Sequence, residues 1–307
     1  MKIPFSILSI TEKALTKSMD VHTMERIAKS IIPHYDLHKI MGFSESMPIP
    51  NKDAASQIVH DFSESKYFFK LVCALMEAQE YGIMGRRYPI AHLHEIVTEI
   101  INLGFIFDKN NHIFIENANT RKTQHWGVLE ENEEYIITLL RMDIAANTQL
   151  VRKYTPPLIA HTYQNIQTIV TSAVEQRNGR IWNWEGDGCI AAFILGNKNM
   201  TAVFAAIEIL HELFLFNELV SKLPEAVNAR IAIDTGYCAY KHSSEELKKT
   251  ELVKKIMEIE SHYTPINAIT ISNTIYASLH PDIAKLFILT RKSATPYYTH
   301  TVKWEDI

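Results

Sequence analysis

The chain has 307 residues, 47% of them hydrophobic and 21% charged, with a formal net charge of −4. That composition excludes a disordered or collagen-like polypeptide and gives enough chain for one large domain or two ordinary ones. The slightly acidic balance offers no electrostatic footprint for nucleic acid.

In chain order, the first ten residues have too short an apolar run, and no cleavage pattern, for a signal peptide. Residues 11–42 carry helical spacing, with Ala14, Met19, Met24, Ile27, Ile31 and Ile32 on the apolar side, Pro33 interrupting the run and a second short helix following to Met41. Ser44 to Asp53, with two prolines, reads as a loop. Helices are expected at 54–62, at 66–81 (Phe68, Phe69, Val72, Leu75 and Met76 inward) and at 88–103 (Ile90, Leu93, Ile96, Val97, Ile100 and Ile101 inward). Two short alternating strands follow between Gly104 and Glu116, around an Asp-Lys-Asn-Asn turn. Helix, helix and hairpin outline a mostly helical, winged-helix-like module over residues 1–130. Its candidate recognition helix bears His92, His94, Glu95 and Glu99 but no Lys or Arg, so the module reads as one for packing, dimerisation or sensing.

From Glu134 the order becomes strand, helix, strand, strand, helix, strand. The strands are 134–143, 179–185, 188–195 and 228–234; the helices are 147–176, broken at Pro156-Pro157, and 199–220. That βαββαβ order is the ferredoxin-like pattern, an antiparallel sheet with helices on one face. A strand 236–241, a charged helix 244–260, a strand 267–272, a short helix and strands near 284–290 and 297–304 complete a second domain, 131–307. The apolar run Thr201–Val220 carries Glu208, His211, Glu212, Asn217 and Glu218, which a bilayer tolerates only at high cost. It reads as a core helix, and the chain as a cytoplasmic protein with no membrane partner. Cys73, Cys189 and Cys238 show no metal or redox spacing and fit small buried hydrophobes in a reducing compartment.

Two carboxylates stand out. Asp143 closes the apolar strand Tyr135–Ile144, and Asp187 sits in the Gly186-Asp187-Gly188 turn of the hairpin Gly179–Phe193. Alone, the second is ordinary turn chemistry. If the two strands are neighbours, both carboxylates converge on one sheet edge and make an oxygen-rich site for Mg²⁺ or Mn²⁺. Trp182 and Trp184 alternate with Asn183 and therefore face away from that pocket, into packing. Lys248, Lys249, Lys254 and Lys255 interleave with Glu245, Glu246 and Glu251, which by itself describes a solvated helix face. The fourteen histidines show no paired ligand spacing for zinc.

Asp143-Ile144 after a hydrophobic strand, Gly186-Asp187 in the following hairpin, and the strand Arg230-Ile-Ala-Ile-Asp-Thr-Gly236 resemble the class III nucleotidyl cyclase domain over residues 134–280. The stretches Arg141–Arg152 and Arg180-Ile-Trp-Asn-Trp184 are similar to the bacterial pyrimidine cyclases of Pycsar antiphage systems. The implied architecture is α+β: a ferredoxin-like βαββαβ class III cyclase domain preceded by the winged-helix-like module.

The resemblance implies that Asp143, Asp187 and the backbone carbonyl of Ile144 hold two divalent ions, Mn²⁺ or Mg²⁺, in each active site. One would acidify the ribose 3′-hydroxyl and the other neutralise the triphosphate. The amides of Ala145, Ala146, Asn147 and Thr148 would cradle the phosphates. Family domains pair head to tail with shared active sites, which implies a homodimer. Four residues before the second metal aspartate, purine cyclases carry Lys or Glu; here Asn183 offers an amide that serves either pyrimidine. The family's transition-state Asn and Arg fall at Lys254, which can meet a phosphate as a point charge, and at Glu258, which cannot. The implied reaction converts UTP or CTP to the 3′,5′-cyclic monophosphate and pyrophosphate. The implied setting is antiphage signalling through a separate effector protein that reads the cyclic nucleotide. Lys254 and Glu258 keep open a degenerate cyclase domain that binds nucleotide without turnover, and the first module keeps open a winged-helix regulator whose second half senses a ligand.

The N-terminal module is expected not to bind duplex DNA at physiological salt, because its helix lacks cations to neutralise phosphates. Fluorescence anisotropy checks this: submicromolar binding that disappears when residues 1–125 are deleted would overturn it.

Overall fold

The computed structural model describes residues 2–44, 46–109, 112–120, 122–290 and 295–302. They form two compact units, residues 1–122 with 126–128, and residues 123–125 with 129–307.

The first unit comprises α1 (Phe5–Ser18), α2 (Val21–Ile31), α3 (Leu37–Met41), α4 (Asn51–Asp61), α5 (Ser65–Glu80), α6 (Leu93–Asn102) and a hairpin of β1 (Phe105–Asp108) with β2 (Ile113–Glu116). The helical run expected before Pro33 is cut in two, and the short helix expected to end at Met41 is present as α3. Asp20 accepts from the Thr23 amide at 2.8 Å and Asp36 from the Lys39 amide at 3.0 Å, so each opens a new helix. The last helix of the unit starts at Leu93 rather than Tyr88, because Pro89 disfavours a helical Tyr88 and His92 sits at φ 60 just before the first turn. Ile101, expected inward, is exposed, whereas Ile90, Leu93, Ile96 and Ile100 are buried. Phe69 anchors the hairpin, with ring centroids 4.6 Å from Phe105 and 5.5 Å from Phe114. The turn residues Asn110 and Asn111 lie outside the described residues.

In the second unit the chain runs β3 (Glu134–Ile144), α7 (Asn147–Lys153), α8 (Pro156–Glu175), β4 (Arg180–Glu185), β5 (Gly188–Phe193), α9 (Lys198–Leu219) and β6 (Ala229–Ala239). It continues with α10 (Ser244–Leu247), α11 (Glu251–Glu258), a π-helical turn Ile259–Tyr263, β7 (Ala268–Ser272), α12 (Asn273–Ser278), α13 (Pro281–Ala284), β8 (Ile288–Thr290) and β9 (Tyr297–Thr301). The strands form one sheet in the order β4-β5-β3-β6-β7-β9-β8. β4, β5, β3 and β6 pair antiparallel with one another, as the βαββαβ reading requires, whereas β7 joins β6 in parallel.

Two boundaries differ from expectation. Strands 228–234 and 236–241 are one strand, β6, because Gly236 stays in the ladder opposite Ile137. The expected break of the helix 147–176 at Pro156-Pro157 is present, with Pro156 opening α8 where its missing N–H does no harm. The charged helix 244–260 splits between Leu247 and Glu251 and ends in the π-helical turn.

Strand alternation assigns the two faces. Leu140, Met142 and Ile144 of β3, Cys189, Ala191 and Phe193 of β5, and Ile231 and Ile233 of β6 join α8 and α9 in one core. Arg141 and Asp143 on β3, and Arg230, Ala232 and Asp234 on β6, lie in the alternate register, on the face against which α11 and the π-helical turn pack. Helices therefore cover both faces, not one. The helix α9 is long and apolar enough to span a membrane, yet Ala202, Val203, Ala206, Ile209, Leu210 and Leu213 are buried in this core. All three cysteines are buried, and burial pushes the Cys73 and Cys189 thiols up to about 12, away from thiolate chemistry.

Candidate active site

The sheet order makes β3 the neighbour of both β5 and β6. Met142 pairs with Cys189 on β5, so the Gly186–Asp187 turn lies beside the end of β3 that carries Asp143. The loop is a two-residue hairpin, closed by Glu185 opposite Gly188, with Gly186 at φ 60. Gly188 is required for a different reason. A Cβ there would stand 2.8 Å from the Arg141 Nη2 and 2.9 Å from the Met142 carbonyl, so only glycine lets the guanidinium pass.

Asp143 and Asp187 sense each other. Burial pushes the Asp187 carboxyl above its ordinary value and the charge of Asp143 adds to this, while its own backbone amide, Arg141 and the Asn147 side chain pull the other way. Asn147 is itself oriented by Tyr163, whose hydroxyl donates to the amide oxygen. This side-chain chain from Tyr163 through Asn147 to Asp187 was not foreseen; Asn147 was expected to act through its backbone. Of the four amides expected at the phosphates, that of Ala145 already donates to the Asn228 carbonyl at 2.8 Å. Those of Ala146, Asn147 and Thr148 head α7, whose first intrahelical donors are Gln149 and Leu150.

Around the two aspartates lies a ring of charge. Arg230 stands directly opposite Asp143 in the β3–β6 ladder and donates from Nη2 to Asp143 Oδ2 at 2.8 Å. Its Nε meets Glu260 Oε1 at 2.9 Å. Arg141, two residues before Asp143 and on the same face, is 7% exposed and lies 3.7 Å from Asp143, 3.7 Å from Glu185 and 4.0 Å from Glu260. Its Nε and Nη1 have no hydrogen-bond partner among the described residues. Glu260 is carried inward by the π-helical turn; burial and the charges of Asp143 and Asp187 push its carboxyl up, against Arg230 and Arg141. The in-strand spacing Arg141-x-Asp143 was a readable sign of a shared face. Glu260 had no such sign, because a π turn breaks the periodicity from which its direction would be read.

The remaining expected residues fall into two groups. Asn183 reaches the ring through Glu185: its Nδ2 donates to Glu185 Oε1 at 2.7 Å, and Lys248 pairs with the same oxygen at 2.9 Å. Lys254 does not join; it is exposed on α11 and pairs with Glu251 at 2.8 Å, while the adjacent Lys255 reaches the buried Asp234 at 2.7 Å. Glu258 is exposed. The expected common direction of Trp182 and Trp184 fails, because a bulge between Ile181 and Asn183 resets the alternation. Trp184 packs on the helix-covered core, whereas Trp182 donates to the Gln124 carbonyl at 3.0 Å and sits edge-on to Tyr240.

Among the described residues no group of three or more His, Cys, Asp and Glu side chains forms a metal cage. Asp143 and Asp187 nonetheless present the hard oxygen donors that Mg²⁺ and Mn²⁺ prefer. Four carboxylates, Asp143, Glu185, Asp187 and Glu260, face three cations, Arg141, Arg230 and Lys248, which leaves one negative charge over. The residues fit a divalent ion provided that Arg230 yields its oxygen of Asp143.

No family model matches the chain, and no curated protein matches it. Solved structures do. The monomeric guanylyl cyclase domain of the RhoGC fusion protein from the aquatic fungus Blastocladiella emersonii aligns with a TM-score of 0.47 and 16% identity, over 57% of this chain and 100% of that one. The guanylyl cyclase Cya2 aligns with a TM-score of 0.46 and 19% identity, over 58% of this chain and 98% of that one. The adenylyl cyclase CyaB from P. aeruginosa aligns with a TM-score of 0.46 and 16% identity, over 55% and 94%.

Because the Asp187 carboxyl is raised above its ordinary 3.8, the folded chain holds that proton more tightly than the unfolded chain does. Stability then falls as pH rises through the window above that value, since the unfolded state releases the proton first. Asp187→Asn is expected to raise the melting temperature at pH 7 in the absence of divalent ions. The gain should shrink toward zero below about pH 4, where both side chains are uncharged. Melting curves of the two proteins from pH 4 to pH 8 check the sign.

Proposed function

We propose that the C-terminal unit is a class III nucleotidyl cyclase that converts UTP or CTP to the 3′,5′-cyclic monophosphate and pyrophosphate. The observation that carries this reading is the convergence of Asp143 and Asp187, from separate strands, at one end of the sheet. Asp143, Asp187 and the Ile144 carbonyl would hold two divalent ions, Mn²⁺ or Mg²⁺. When bound, such ions supply Lewis-acid stabilisation of the phosphates and acidify the 3′-hydroxyl.

The chain's own residues would do the rest. Tyr163 and Asn147 fix the direction of the Asp187 carboxylate, and the amides of Ala146, Asn147 and Thr148 meet the phosphates. Asn183 reads the base, with its Nδ2 held by Glu185 and its carbonyl oxygen left for a donor on the pyrimidine edge. Lys254, exposed on α11, has the accessibility that a point charge needs to meet substrate at the shared site of a homodimer. The setting we propose is cytoplasmic antiphage signalling, with the product read by a separate effector protein.

A second reading, a degenerate domain that binds nucleotide without turnover, draws on Arg230, which already neutralises Asp143, and on the carboxylate of Glu258 where the family has a cation.

Purified protein incubated with equimolar ATP, GTP, CTP and UTP plus Mn²⁺ is expected to release pyrophosphate and to yield cyclic UMP or cyclic CMP by mass. Asp143→Asn and Asp187→Asn should each abolish product with the fold intact, and Asn183→Ala should relax the choice of base. Cyclic AMP or cyclic GMP as the main product would show the base pocket misread; nucleotide binding without pyrophosphate release would favour the second reading.

A further inference from the structure

Arg230 is placed where a metal ligand's counter-ion would be least welcome. It faces Asp143 across the β3–β6 ladder, donates a hydrogen bond from Nη2 to that carboxylate at 2.8 Å, and stands with its Nε 2.9 Å from Glu260 Oε1, an ion pair in which neither atom makes a hydrogen bond among the described residues. The guanidinium is a planar fork, so one side chain can bridge two carboxylates at once. Its two partners differ in setting. The Glu260 side chain is 6% exposed and that of Asp143 19%, so the Glu260 end is the more deeply sheltered from solvent. A cation approaching Asp143 and Asp187 must therefore compete with Arg230 for Asp143 alone.

We infer that Arg230 is a resident counter-cation of the proposed metal site, which neutralises Asp143 while no ion is bound and is retained by Glu260 when a divalent ion takes that carboxylate. The inference rests on the two-aspartate reading above and adds to it a positioning residue and its anchor. Two arguments support it. Without a second carboxylate, a guanidinium expelled from Asp143 would be left as an uncompensated charge in a half-buried place, at a high desolvation cost. With Glu260 in contact already, no new pocket is needed for the displaced side chain. Arg141 cannot play this part, since it stands no closer than 3.7 Å to any of its three carboxylates and is fixed over Gly188.

The test is Mn²⁺ affinity of the full chain without nucleotide, read from the free-ion electron paramagnetic resonance signal, for the wild type, Arg230→Gln, Glu260→Gln and the double variant. Arg230→Gln is expected to bind Mn²⁺ about tenfold more tightly, since a unit positive charge in contact with the ligand is removed. Glu260→Gln is expected to bind more weakly, because Arg230 then has Asp143 as its sole close carboxylate. That loss should disappear in the Arg230→Gln background, the coupling that a double-mutant cycle isolates. Equal or weaker binding by Arg230→Gln, or a Glu260→Gln effect of the same size in both backgrounds, would overturn the inference. Should Arg230→Gln fail to fold, Arg230→Met, which keeps the length of the side chain without its charge, must bind more tightly than wild type or the inference falls. Failure of the underlying reading looks different: the wild type itself would bind no Mn²⁺, and both proposals would fall together.

Discussion

One constraint governs the C-terminal unit: charge has been placed on the inner face of a sheet and has to be balanced there. Arg141 and Arg230 stand on β3 and β6 among Asp143, Glu185, Asp187 and Glu260, in a place with little water. Taking such groups out of water costs several kcal/mol per ion unless close partners replace the lost hydration. Arg230 meets that condition at Asp143, through a hydrogen bond of 2.8 Å, and at Glu260 only through an ion pair of 2.9 Å without a hydrogen bond. Arg141 meets it only loosely, with carboxylates at 3.7 to 4.0 Å and, among the described residues, no hydrogen bond at Nε or Nη1. A cluster so balanced is a poor stabiliser and a sensitive electrostatic environment, which is the condition under which a further cation has a large effect.

The surrounding elements read as consequences of that cluster. Glycine at 188 leaves room for the Arg141 guanidinium, and alanine at 232, opposite Arg141 in the ladder, adds no bulk beside it. The π-helical turn after α11 brings in Glu260, and the chain from Tyr163 through Asn147 ends on Asp187. Opposite this face, the apolar residues of β3, β5 and β6 pack on α8 and α9 as an ordinary hydrophobic core. The sheet thus separates its tasks by strand alternation: Leu140, Met142 and Ile144 on β3 give packing, and Arg141 and Asp143 between them give charge.

The sequence by itself determined the α+β class, the order of elements from Glu134 to Ala239, and the placing of Asp143 and Asp187 at one end of the sheet. Those features are local. Period-two and period-3.6 patterns, a Gly-Asp-Gly turn and a carboxylate at a strand end are each written within about ten residues of chain. Where local signals failed, they failed for local reasons too: a bulge turned Trp182 and Trp184 apart, and a capping aspartate, Asp20, divided the helical run before Pro33 in two.

Only the tertiary structure decided the rest of the site. Glu185, Lys248 and Glu260 carry no pattern that distinguishes them from other charged residues. Their meaning comes from residues up to 119 positions apart, such as Arg141 and Glu260, meeting on one face. The same holds for the choice among lysines: the resemblance singled out Lys254, whereas the folded chain leaves it in solvent, paired with Glu251, and sends Lys255 to Asp234. The physical reason is range. Backbone preference and hydrophobic periodicity act over one turn or one hairpin, whereas a buried charge is defined by which opposite charges the folded chain places within a few ångströms of it.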